Sequence, residues 1–447
     1  MGRQSRSMRN WDGSVTSRPA AIARPANVSE IISIVTNSKK FPSPVRAVGA
    51  FSASTRCAAA DGGTIVDMGK MNRILEFGDG FIRVQAGARL YEVARELQKR
   101  GLEFAASPAP SVMSMGSAAC GATLAPSTPG QTGQLSSYAI AMKLVTPAGE
   151  ILEVDKDKPE LLRLLRCSYG LLGLVYEITL LVRPQRVLKL RYDQLPLNTV
   201  LHLLTALDYN AVSLGLQVFP FRKRVAVEHR TSHAEGRGSR RMLWRLQRRI
   251  LQQLQPHVGW LLAAIPIRAL RYGLIDGVNQ VLNSGLGKAL SGAGITTGDR
   301  IVRWPGNRRV RQSIWVFPAA SFASVLKQYV DFCEAHFESY GYRCNLPTAC
   351  ETMAADNHSS LSVSFDGPVI TLEPRSTADE GWNDFIVDFN DFCSRLGGRP
   401  LFNQTRGLSR DQARRAYGGR LENFSKLRKK VDPHDRLLNA YFHQILV

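Results

Sequence analysis

Two stretches nearly bare of side chains set the tightest limits on this chain: VGAFSAST at 48–55, directly after a strand from Val45, and SMGSAACGAT at 114–123. Loops of Gly, Ala, Ser and Thr let backbone N–H groups come close to whatever packs on them. They form either an anion-holding concavity or tight turns that join strands. A pair of them would suit a diphosphate. The two commonest nucleotide cradles are absent: no GxGxxG follows a strand, and GLGK at 285–288 lacks the upstream Gly and the following Ser or Thr of a P-loop.

Around these loops, residues 20–180 alternate short Val/Ile-rich strands with helical stretches. The pattern predicts a helix over VSEIISIVTNSKK, strands at VRAVG, GGTIVDM and FIRVQAG, and a helix over RLYEVARELQKRG. A hairpin of AIAMKLVTP and EILEV turns at Ala148-Gly149, and VYEITLLVRP is a further strand. From Val187 new strands appear, with a helix from Ser321 to Tyr340 and another near 381–396, which predicts a second sheet covered on one face by helices. The fold class is therefore α+β. With 447 residues the chain can bury a large core as one oversized domain or two to three ordinary ones.

The formal net charge of +21 favours anionic partners, and it is unevenly spread. Arg222 to Arg311 holds eighteen Lys/Arg against four Asp/Glu, two-thirds of the excess. Within it, RRMLWRLQRRILQQLQ (240–255) puts Met242, Leu246 and Arg249–Ile250 at helical spacing among Arg and Gln, the pattern of a basic amphipathic helix. That helix either lies on an anionic membrane or acidic partner, or presents a solvated face while packing on the body of the protein. Val258 to Leu270 is apolar but broken by Pro266 and Arg268, too short to span a bilayer. No helix-turn-helix, zinc finger or RNA-binding strand accompanies the patch, so no nucleic-acid partner is expected. The seven cysteines are odd in number and lack a CxxC pair, which fits neither a disulfide framework nor a zinc site. No metal is expected. The start MGRQSRSMRNW shows no export or acylation signal, and a cytoplasmic setting, peripheral to a membrane if the basic helix docks there, is the expectation.

The order of six segments resembles the flavin-binding domain of the vanillyl-alcohol oxidase/p-cresol methylhydroxylase superfamily: VRAVGAFSAS, GGTIVDMGKMNRIL, VQAGARLYEVARELQKRGL, MGSAACGAT, YAIAMKLVTPAGEILEV and SYGLLGLVYEITLLV. DPHDRLLNAYF (432–442) is similar to the closing segment of the aldonolactone (gulonolactone, arabinonolactone) and alditol oxidases of that superfamily. The resemblance implies a two-subdomain FAD-binding domain over 18–185 and a cap or substrate domain over 186–400 with the basic insertion at about 235–295. A segment at 401–447 would close on the flavin domain. FAD would rest its diphosphate on Val48, Gly49, Ala50, Phe51, Ser52, Ala53 and Ser54 and on Gly116, Ser117, Cys120, Gly121 and Thr123, with the adenine end near Gly173 and Val175. The activity implied is oxidation of a CH–OH group of a sugar lactone, polyol or related small molecule by hydride transfer to flavin N5. Molecular oxygen is the expected electron acceptor, and a quinone or cytochrome at a membrane the alternative. A flavin-fold protein without redox turnover, acting as a membrane- or partner-binding module, is the reading from a different class.

Departures from the family pattern matter as much. Where many relatives carry a His that attaches the flavin, this chain has Ser52, and no histidine precedes His202. The other linkage known in the superfamily uses a Cys in the second loop, where Cys120 falls, but Cys is commonly a small core residue, so non-covalent FAD is expected. The PHWxK-like stretch of the sugar oxidases becomes Pro400, Leu401, Phe402, Asn403, Gln404, so an amide replaces the cation that would stabilise reduced flavin. In ETMAAD (351–356) Glu351 stands at the family's Arg position and serves either as a base or in a salt bridge, for instance with Arg343. His358 is a poorer candidate base. The expected catalytic set is Glu351, Asn403 and Gln404.

Overall fold

Short β-branched runs build three main sheets in the computed structural model, which describes residues 7–447 except 107, 109–111, 127–130, 132–133, 210–212, 234–240, 302–306 and 378–379. The first is a parallel sheet in the order Ala21–Ala23, Thr64–Asp67, Val45–Val48. Ile65 and Val66 are both fully buried, as expected of a parallel strand covered on both faces. The helix Val28–Thr36 is started by Asn27, whose side chain accepts from the Glu30 N–H at 2.9 Å, and it buries Ile31, Ile34 and Val35. The second sheet is antiparallel, in the order Ile151–Val154, Ala139–Val145, Leu174–Leu181, Phe81–Gln85, Ile74–Gly78. The expected hairpin turns where Gly149 takes a φ of 89°, a conformation open to glycine.

The third sheet has eight antiparallel strands, running from Gly294–Thr296 through Val187–Pro196, Arg224–His233, Ser213–Phe219, Thr348–Met353, Val369–Leu372 and Trp315–Pro318 to Arg399–Pro400. The fold is thus α+β. Alternation along Thr348–Met353 divides the sheet's two faces. Thr348 meets the Tyr329 hydroxyl at 2.7 Å under the helix Phe322–Tyr340, while Ala349, Glu351 and Met353 point to the opposite side. Phe332, Phe385, Phe389 and Phe392 pack this helix against Trp382–Arg395, with ring centroids 4.9–6.5 Å apart.

The basic insertion folds over the other face as a helix Arg241–Arg249, a π-helical turn Ile250–Leu254, a helix Gln255–Leu262 and a long helix Arg268–Leu290. Trp244 and Gln247 are buried, whereas Met242 and Leu246 face solvent. The start of the expected insertion, 235–240, lies outside the described residues.

The carboxyl-terminal segment returns to the first sheet. Arg436 donates to the carbonyls of Ile34 and Val35 at 2.8 and 2.9 Å, and its own carbonyl accepts from the Val45 N–H. Asn439 Nδ2 donates to the carbonyls of Arg56, Cys57 and Ala59.

Candidate functional site

The chain leaves the end of Val45–Val48 and turns sharply, with Phe51 held at a φ of 50° although it is not glycine. Such strain collects at functional sites. Five consecutive backbone N–H groups, Gly49 to Ala53, have no acceptor among the described residues. Gly49, Ala50, Ser52 and Ala53 are half-buried and Phe51 is buried, and a run of five such N–H groups along one turn beside a cavity has the form of an anion-holding nest. The second loop packs directly on the first: a Cβ at Gly49 would stand 2.1 Å from Ser114 Oγ and 2.4 Å from Ser114 Cβ. Ser114 caps the short helix Met115–Cys120, and Gly116 and Gly121 leave room for Ala86 and the Ser117 carbonyl.

One cavity runs between the loops. Twelve of the fourteen residues expected to hold a cofactor line it: Val48, Gly49, Phe51, Ser52, Ala53, Gly116, Ser117, Cys120, Gly121, Thr123, Gly173 and Val175. Ala50 and Ser54 do not. Ser54 sits behind the wall, its hydroxyl donating to Gln404 Oε1 at 3.1 Å and its N–H to the Asn403 carbonyl at 2.9 Å. Three further polar atoms of the lining residues are buried without a partner: Arg46 Nε, the Tyr169 hydroxyl and Asn403 Oδ1. Arg46 donates only to the carbonyls of Cys57, Tyr169, Gly170 and Leu437, and burial brings its guanidinium down to about 10. A buried cation with no direct ion pair among the described residues, Asp432 acting on it only at longer range, therefore adds to the bare amides. The Cys120 thiol in the same wall is pushed up to about 12 by burial.

A second cavity, about 360 Å³ and so in the range of small-molecule sites, meets the first at Ser52, Met113, Asn403 and Gln404. Asn403 is pinned by donation to the Ala122 carbonyl at 2.9 Å. Gln404 spends its Oε1 on Ser54, which leaves its amide N–H groups at the junction.

The floor of this chamber is the eight-stranded sheet, and its charge is carried by Glu351, Glu373 and Arg375, with Arg248 and Arg300 from the insertion side. Glu351 makes a two-pronged pair with Arg230, at 2.7 and 3.1 Å, rather than with Arg343, which pairs with Asp276. Gly215, across the ladder from Glu351, makes this pair fit: a Cβ there would stand 2.4 Å from Arg230 Nη2. Behind it Arg230 Nε also binds Glu228 at 2.6 Å, and Glu228 accepts from Arg248 at 2.8 Å and the Tyr192 hydroxyl at 2.6 Å. Burial alone would raise the Glu228 carboxyl, but Arg230, Arg248 and Arg300 outweigh it and hold it far below the carboxylate range. Arg300 has no hydrogen bond or ion pair among the described residues, and burial lowers it to about 9.

Glu373 differs from its neighbours. Burial, reinforced by the charge of Glu351 and only partly offset by Arg375, raises its carboxyl to about 7. Its backbone is fixed opposite Ala349 by a pair of hydrogen bonds at 2.9 and 3.0 Å. Sequence reading missed Glu373, Arg300 and Arg230, because they come together with Glu351 only in the folded sheet and insertion, Arg230 from 121 positions away. A signal was available in TLEPRS, where Glu373 and Arg375 stand two apart beside a run of buried strand. His358 is exposed and bound to Asp356, away from the chamber lining.

Residues 19–155 match the FAD binding domain family, and residues 178–445 match the D-arabinono-1,4-lactone oxidase family. The chain is 25% identical over 254 residues to a D-arabinono-1,4-lactone oxidase of Candida glabrata, covering 54% of this chain and 47% of that one. It is 31% identical over 189 residues to an L-gulono-1,4-lactone dehydrogenase of Mycobacterium tuberculosis, covering 41% and 42%. These matches span less than half the length of either relative. At 22% identity the match to an L-gulonolactone oxidase of Bos taurus covers 98% of this chain and 97% of that one. In fold the chain is similar to a crystal structure of cholesterol oxidase from Brevibacterium sterolicum, with a TM-score of 0.79 at 17% identity over 99% of this chain and 96% of that one.

Proposed function

The chain belongs to the D-arabinono-1,4-lactone oxidase family, and we propose that it is an FAD-dependent oxidoreductase acting on the CH–OH group of a sugar lactone or related polyol. The observation that carries this reading is the run of unpartnered N–H groups from Gly49 to Ala53, in a cavity that continues past Gln404 into a charged chamber. The residues fit the cofactor. The loops at 48–54 and 114–123 would hold its diphosphate by backbone donation, with Arg46 as the buried counter-charge, and the adenine end would lie by Gly173 and Val175. When bound, FAD supplies at N5 the acceptor for a hydride. The domain division at 185 and 400 belongs to the same reading.

The chain's own residues do the rest. Gln404 offers amide N–H groups to the pyrimidine edge from the junction, and Asn403, pinned on Ala122, holds that turn in place. Glu351 and Glu373 form the chamber's carboxylate pair. Glu351, locked on Arg230, orients the site, and Glu373 accepts the substrate hydroxyl proton as the C–H bond breaks, its carboxyl being poised near neutrality. Arg300, without a hydrogen-bond or ion-pair partner among the described residues, would bind substrate oxygens. The flavin would be held without a covalent bond, since burial keeps the Cys120 thiol protonated. The electron acceptor is oxygen or a membrane-borne carrier, and the basic insertion supports a peripheral membrane contact.

The test is spectroscopic. The purified protein should be yellow, and its flavin band should bleach anaerobically with an aldonolactone or alditol. A protein that takes up no FAD on reconstitution would refute the cofactor site, and a yellow protein that no such donor reduces would favour a binding module without turnover.

A further inference from the structure

Ten of the seventeen large apolar side chains that are exposed among the described residues fall between Met242 and Val281. Met242 (84%), Leu246 (53%), Leu254 (50%) and Leu261 (61%) follow one side of the first two helices, and Ile267 (62%) and Leu270 (51%) continue the patch. Scattered exposed leucines need no explanation, but a continuous apolar stripe does. Its polar neighbours are cationic: residues 241–290 contain seven Lys/Arg and a single acid, Asp276, which Arg222 and Arg343 engage. Arg249 and Arg268 are exposed beside the stripe, as is Arg245, which donates to Asp299 at 3.1 Å, and Arg309 lies over the Trp260 ring at 3.8 Å. Among the described residues no helix is long and apolar enough to cross a membrane.

We infer that this face is a docking surface for an anionic lipid bilayer, with the helices lying in the interface and their arginines among the headgroups. Apolar area combined with clustered cations is what such a surface requires, and it distinguishes a bilayer from an acidic protein, which would engage the cations and leave the stripe exposed. The opposite side of the same helices, through Trp244, Arg248, Leu251 and Gln255, lines the chamber. Docking therefore brings the wall of the chamber against the lipid. The inference deepens the peripheral contact proposed above, and it is read by lipid binding alone, so it stands or falls independently of turnover.

The holoprotein should float with phosphatidylcholine vesicles containing phosphatidylglycerol and not with phosphatidylcholine alone, and the binding should weaken as salt rises without vanishing. Brominated acyl chains should quench a tryptophan signal that Trp260→Phe removes. Leu246→Glu together with Leu261→Glu should weaken binding about tenfold or more while flavin content and circular dichroism stay unchanged. Binding indifferent to anionic lipid, or quenching that persists in Trp260→Phe, would overturn the inference. So would a stable dimer that ignores vesicles and is dispersed by the same two glutamates, which would mean that a second copy covers this face.

Discussion

The first cavity is walled mainly by small residues and backbone amides with a single charged side chain, Arg46, whereas the chamber that meets it at Ser52, Met113, Asn403 and Gln404 carries five. The difference sets how each can fail. Backbone donors cannot titrate or be deleted, and Arg46, brought down only to about 10, stays charged through neutral pH, so the first cavity is insensitive to pH near neutrality and is broken most directly by adding an atom. The chamber depends on side chains held against their desolvation, so it is broken by removing one, and it responds to protons.

The sharpest way to break the chamber is Arg230→Met, which leaves Glu228 and Glu351 facing one another without their shared cation. A loss of about 3–5 kcal/mol in denaturant unfolding is expected, with the flavin cavity retained below the new midpoint. Glu373→Gln comes next. It should lower turnover about a hundredfold or more, and it should abolish a rise in kcat/KM through about pH 7 that the unaltered protein shows. The stability effect has the opposite sense. The folded-state value of Glu373 is raised from 4.5 to about 7, so the stabilising proton is present below pH 4.5 and is lost as pH rises through 7. The Gln variant should therefore gain on the parent in thermal melts at pH 8 relative to pH 5.

Adding an atom tests the other side of the comparison. Gly49→Ala places a methyl group on Ser114 Cβ, neither a flexible tip nor able to yield easily. It should cost about 1–3 kcal/mol, read chiefly as loss of flavin on gel filtration, with the chamber's pH profile unchanged in the fraction that keeps it. The smallest effect is expected at Cys120→Ala: acid precipitation should leave the yellow colour in the supernatant for parent and variant alike. Colour in the parent's pellet would mean a thioether.

Legibility in the sequence followed the range of the interactions. The loops at 48–55 and 114–123 could be read because bare residues after a strand are a local signal, and the helices at 28–36, 322–340 and 382–395 because their apolar periodicity is local too. Asn403 and Gln404 were reachable only through resemblance, yet they stand at the junction of the two cavities. Glu351 was visible, but its partner was not, since Arg230 reaches it only after Ser213–Phe219 pairs with both Arg224–His233 and Thr348–Met353. The outward side of the basic helix also escaped composition. Met242 and Leu246 have the spacing of a buried stripe, and only the packing of Trp244 turned them to solvent.

Asn439 and Arg436 brace the strand and turn that carry the amide cradle, and the Leu437 carbonyl receives Arg46 from 391 positions upstream. On the ribosome, then, the amino-terminal half lacks these braces for its nest until residues 436–439 have emerged. Loading is therefore expected to follow synthesis, and a fragment ending before residue 432 should be made colourless however well its own strands pair.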